Sequence, residues 1–105
     1  MAIIINLDGT TTHRAEATHR ELYGPEGMTL EAMQAAVGGY IEHIFLIPPY
    51  VCSGVSYPHM VMNELGKLEG LPCNDSATDI AVRRGLLPGD YIAGVAILLE
   101  KDEMQ

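Results

Sequence analysis

Residues 91–100, YIAGVAILLE, constrain the fold more than any other stretch. They are apolar on both faces of an extended chain, which places this strand inside a sheet and not at its edge. Such a strand needs neighbours. Residues 2–7 carry Ile3, Ile4 and Ile5 and close on Asp8-Gly9, the pattern of a buried strand ending in a turn. The run YIEHIFLI, residues 40–47, is rich in β-branched and aromatic residues and stops at Pro48-Pro49, which predicts a strand of about eight residues. A loop, PPYVCSGVSYP, then leads to a further strand, HMVMNE, at 59–64, with Gly66 and Gly70 marking the turns after it. Residues 10–27 are polar and long for a structureless loop, so a short edge strand is expected within TTTHRAEAT.

Two helices complete the pattern. Thr29 is a suitable N-cap for the first, Glu31 opposes its dipole, and Leu30, Met33 and Val37 share one face before Gly38-Gly39 ends it. Asn74, Asp75 or Ser76 opens the second, whose buried stripe is Ala77, Ile80 and Ala81. Arg83 and Arg84 fit its last turn, and Gly85 is the stop. The tail KDEMQ is expected to fray. With 105 residues the chain holds one domain, 1–105, of α+β class. The order β-α-β-β-α-β predicts an antiparallel sheet covered on one face by two helices, as in ferredoxin-like folds. A more curled sheet or a small barrel is the alternative, left open by Gly94 in the last strand.

Charge narrows the partners. Fourteen acidic residues against six basic ones give a net charge of −8, which repels phosphate backbones and anionic membranes. The sequence therefore argues against direct nucleic-acid binding and for a partner with a basic surface. Cys52 and Cys73 lie in no CxxC pattern, as expected of thiols in a reducing compartment. The three N-terminal isoleucines have no basic lead and fall far short of the about 18 residues of a membrane span, so a cytoplasmic location is expected.

The chemistry-bearing residues form no recognisable catalytic pattern. The opening IIINLDGTT resembles the strand-end motif of haloacid-dehalogenase-type phosphatases, yet Asn6 stands where that family has its nucleophilic aspartate, so Asp8-Gly9 reads as a turn. His13, His19, His43 and His59 have no metal-ligand spacing, although His43 and His59 lie on strands expected to pair. Ser53, Ser56, Ser76 and the cysteines sit in no nucleophile elbow. Glu64 and Glu69 flank a turn, and Asp75 and Asp79 read as a solvated helix start. No metal or cofactor is implied, and the sequence favours a binding protein over an enzyme.

The polar cluster Asn74-Asp75-Ser76 is the best-formed candidate site, since free amides at a helix start can meet an anion or a polar ligand edge. The structural reading is a cap: the Asn74 side chain should bond the amide of residue 76 or 77, or tie the preceding loop to the helix.

Three blocks, MQAAVGGYIEHI, VMNELGKLEGLPCNDSATDIA and GDYIAGVAILL, resemble the domain of unknown function numbered 3846, a family found mostly in phages, plasmids and bacterial genomes. The resemblance runs from about Leu30 to Leu99. Its Val-Gly-Gly-Tyr-Ile-Glu is Val37 to Glu42, its hairpin Asn-Glu is Asn63 and Glu64, and its asparagine after the Leu-Pro pair is Asn74. The segment before Leu30 does not align to it, and the 48–58 loop between the blocks is individual to this chain. The resemblance implies a genomic context, and with it a phage or mobile-element accessory protein, working in the host cytoplasm if phage-encoded, that binds a host protein without catalysis, for instance one of a defence or nucleic-acid-handling system. The alternative is a small-ligand, nucleotide-like, binder or sequestering protein using Asn74, Asp75 and Ser76 with the Asn63-Glu64 hairpin. A third reading is a homo-oligomer built through edge strands.

Overall fold

The computed structural model describes residues 2–13, 23–24, 27–28 and 30–101. Their elements are, in chain order, β1 (Ile3–Ile5), β2 (Thr11–His13), β3 (Tyr23–Gly24), β4 (Gly27–Met28), α1 (Leu30–Val37), β5 (Ile41–Cys52), β6 (Val55–Asn63), α2 (Asp75–Val82) and β7 (Ala96–Leu99). Five strands form a sheet in the order β2-β1-β7-β6-β5, and β3 pairs with β4 separately. Every pairing is antiparallel. The strand expected to lie inside the sheet does so: Leu98 of β7 sits between Ile3 of β1 and Met60 of β6, and all four residues of β7 are buried. The expected early edge strand is β2, paired to β1.

The helices do not share a face. Ala96 and Leu98 of β7 pack with Ile3, Ile5, Met60 and Met62 beneath Ala77 and Ala81 of α2. Ile97 and Leu99, pointing the other way, pack with Ala2 and Val61 beneath Ala32, Met33 and Val37 of α1. A strand apolar on both faces must be covered on both, and one helix is given to each. The arrangement also departs from the ferredoxin-like order, in which the first strand would lie between the last and the third. Here the last strand lies between the first and the third, in an open sheet with β2 and β5 at its edges and not a barrel.

The hairpin is longer than expected. Strand β5 continues through Pro48-Pro49 to Cys52, with a register shift between Phe45 and Tyr50, where a loop was predicted. An edge strand tolerates proline because one side of its backbone has no ladder to lose. The turn is Ser53-Gly54, whose φ values of 51° and 79° are those of a two-residue hairpin turn closing on the Cys52–Val55 pair.

Other boundaries moved by shorter distances. Residues 91–95 precede the last strand and include an isolated bridge between Cys73 and Ala93. Leu30, expected on the buried face of the first helix, is about half exposed at its start, whereas Ala32, Met33 and Val37 are buried. Helix α2 ends at Val82, so Arg83 is its C-cap and Arg84 lies beyond it. Asp8 makes the predicted turn, accepting from the Thr10 amide at 2.9 Å and its hydroxyl at 2.6 Å. The Thr29 cap, His19 and the end of the tail lie outside the described residues.

Candidate functional site

Asn74 caps α2, with Oδ1 accepting from the Ala77 amide at 3.0 Å. Its Nδ2 donates to the Ile5 carbonyl and to the Gly94 carbonyl, each at 3.0 Å. The side chain is fully buried. One amide group thus joins the end of β1, the start of α2 and the approach to β7, with both its hydrogens and its oxygen engaged. Asp75 is exposed beside it, and Ser76 lines a different cavity under α2.

Asn63 and Glu64 lie elsewhere, at the end of β6. Asn63 is buried, donates to the Val37 carbonyl at 3.2 Å and accepts from the Leu65 amide at 2.8 Å, so it ties the end of α1 to the turn after β6. Glu64 follows it, held by its backbone amide on the Tyr40 carbonyl at 2.8 Å, with its side chain exposed. The turn then packs so closely that a Cβ on Gly66 would lie 2.9 Å from the Ala93 carbonyl oxygen. That contact seats residues 64–68 against 90–93.

Between them lies a groove of about 460 Å³. Its apolar floor is Ile44, Met62, Ile92 and Ala93, all but Ile44 buried, with Leu68, Leu86 and Leu87 around it. Its polar part is Glu42, Asn63, Glu64, Asp90, Lys67 and Tyr91. Strand register brings Glu42 there, since it pairs with Met62 and points to the same face. Lys67 binds Asp90 through a direct ion pair and lies 4.8 Å from the centre of the Tyr91 ring. The hydrogen bond to Asp90 raises the Lys67 pKa, and the same bond holds the Asp90 carboxyl below its usual range. Among the described residues Glu42 and Glu64 have no ion-pair partner. Glu42 lies near enough to add to the rise in the Lys67 pKa, yet three carboxylates against one lysine leave the groove net negative over an apolar floor, a setting for a cation with an aliphatic stem.

A model of the Domain of unknown function (DUF3846) matches residues 2–105. The chain belongs to that family. The match takes in the segment before Leu30 and the 48–58 hairpin, neither of which is part of a recognisable sequence block. The comparison with curated proteins found no match, nor did that with solved structures. Of the family's blocks, Val37 to Glu42 supplies the end of α1 and one groove carboxylate, Asn63-Glu64 supplies a clasp and the other, and Asn74 supplies the second clasp.

The structure does not bring all five candidate residues together. Asn63 and Glu64 line the groove, whereas Asn74, Asp75 and Ser76 do not. Sequence reasoning missed Glu42, Lys67, Asp90 and Tyr91 as groove residues. The signal for Glu42 was alternation along 40–47, which places it and Ile44 on one side; Lys67 and Asp90 are 23 residues apart and left none.

The paired strands do bring His43 and His59 together, with Nε2 of one 2.9 Å from Nδ1 of the other, beside the exposed Phe45 ring. Burial, and then the neighbouring His59, lower the His43 pKa. Among the described residues no group of three or more possible metal ligands occurs. Cys52 and Cys73 are free thiols, and no helix is long and apolar enough to cross a membrane.

Proposed function

We propose that this protein works by non-catalytic binding, presenting the groove between Glu42 and Glu64 to a basic side chain of a protein partner. A lysine or arginine stem lies on Ile44, Met62 and Ile92, and its charged head meets the two carboxylates. The observation that carries this reading is the pair of unpartnered carboxylates over an apolar floor, in a groove whose lysine is already held by Asp90. The net charge of −8 supports it, since it attracts a basic surface from a distance and sets its orientation. In the context the family blocks imply, the partner is a host protein of a defence or nucleic-acid-handling system, and the chain is a phage or mobile-element accessory protein.

The test uses wild type and the E42Q/E64Q double variant in parallel, each immobilised and exposed to host lysate, followed by affinity measurement on the purified partner. A partner held by wild type, weakened by salt and released by the double variant supports the reading. Equal retention by both proteins overturns it.

A further inference from the structure

A second cavity lies on the α2 face, away from the Glu42–Glu64 groove, and the recess that adjoins it carries two arginines. The cavity, about 340 Å³, has Ile3, Ile5 and Leu98 of the sheet and Ile80 of α2 as its apolar lining, with Thr11, Ser76 and Asp79 as polar groups at its wall. It shares Tyr50, Asp79 and Ile80 with an adjoining recess of about 360 Å³ that is lined by Arg83 and Arg84. In a chain with six basic residues against fourteen acidic ones, two adjacent arginines at one recess invert the local charge.

The arginines are not neutralised. Among the described residues neither forms an ion pair, and Asp79, one turn before Arg83, forms none either. Arg84 is held in place: its Nη1 donates to the Ile80 carbonyl at 3.0 Å, and its guanidinium lies 5.2 Å from the centre of the Tyr50 ring. Its Nε is buried and has no acceptor. A buried donor left unmatched is costly, and it leaves the hydrogen-bonding capacity of this guanidinium incompletely used within the chain.

We infer that this cavity is a binding site for a small organic monoanion, whose apolar body fills the space over Ile3, Ile5 and Leu98 and whose carboxylate or sulfonate meets Arg83 and Arg84. Two arginines and Asp79 leave one net positive charge, which suits a single negative charge over a dianion. The volume falls among those of small-molecule sites, and a few placed polar groups over an apolar lining are their usual composition. The site goes beyond the partner-binding reading and shares no lining residue with that groove.

The test is fluorescence titration with 8-anilinonaphthalene-1-sulfonate and with the neutral N-phenyl-1-naphthylamine, which has the same apolar body. The sulfonate should saturate at one per folded chain and be displaced by decanoate about tenfold more effectively than by decan-1-ol. R83Q, at an exposed position, and R84Q should each weaken the sulfonate about tenfold and leave the neutral probe unchanged. A cooperative thermal transition with the probe bound confirms that it binds the native chain. R84Q also loses the Tyr50 contact, so R83Q and the wild-type competition decide the matter if R84Q does not fold. Unsaturable binding, equal displacement by acid and alcohol, or an unchanged R83Q overturns the inference. E42Q/E64Q should bind the sulfonate as wild type does, so this inference and the partner reading fail separately.

Discussion

Asn74 and Glu64 are both polar residues at the border of an element on the α2 side of the sheet, and the fold treats them in opposite ways. At the Asn74 end every polar atom of the side chain is engaged: one carbonyl and two amide hydrogens meet Ala77, Ile5 and Gly94. At the Glu64 end the backbone is fixed by Asn63 and Gly66, while the carboxylates of Glu64 and Glu42 stay unpartnered beside an apolar floor. Polarity alone therefore does not mark a site. What distinguishes the two ends is unused hydrogen-bonding and charge capacity.

The contrast can be broken most severely at Asn74. Asn74→Ala should destabilise by about 3 kcal/mol, because it removes a helix cap and one donated hydrogen bond from each of two buried carbonyls. Urea unfolding measures this, and a loss under about 1 kcal/mol would show that Asn74 is not a clasp. Asn74→Asp sharpens the point: it keeps an acceptor for Ala77 but sets a carboxylate against the Ile5 and Gly94 carbonyl oxygens, so it should be no better than alanine.

Asn63→Ala should cost less, about 1–2 kcal/mol, since it loses one donated and one accepted hydrogen bond at a turn closer to solvent. Next in size is a pH effect at His43. Its lowered folded-state pKa means that the unfolded chain takes up the proton more readily. Stability should be level above the ordinary histidine value of about 6.5 and should fall as pH drops from there through the depressed folded value. His43→Gln should flatten that slope in a series of thermal melts, and an unchanged slope would place its origin elsewhere.

The smallest expected effect on stability is at the open end. E42Q/E64Q should lie within about 0.5 kcal/mol of wild type, because these exposed carboxylates form no ion pair and the attraction of Glu42 for Lys67 is screened by solvent. A larger loss in urea unfolding would mean that they serve the fold, and the contrast between the two ends would disappear.

Much of the closed end was legible in the sequence. The central place of β7 followed from an apolar run with no polar face, and the capping role of Asn74 followed from its position before Ala77, Ile80 and Ala81. Its two further bonds were not legible, since Ile5 is 69 residues away and the pairing depends on the sheet closing first. The placement of the helices on opposite faces was also hidden. Either helix has a buried stripe that suits either face, so the stripe alone does not say which face it covers. Pro48-Pro49 read as a strand end because proline is excluded from central strands, and only the edge position of β5 removes that objection. At the open end Asn63 and Glu64 were visible as residues, but the groove needs Glu42, Lys67, Asp90 and Tyr91 from three separate segments.

The central claim is that the open end receives a basic side chain. Titration of the isotopically labelled protein with the peptide acetyl-Leu-Arg-Leu-Arg-amide, followed by amide chemical shifts, tests it directly. The account predicts shifts centred on Glu42, Glu64, Lys67 and Tyr91, reduced by salt, at least about tenfold weaker binding to E42Q/E64Q, and no such shifts with the glutamate counterpart of the peptide. Equal binding of the arginine peptide to wild type and double variant, or shifts centred on another surface, would contradict it.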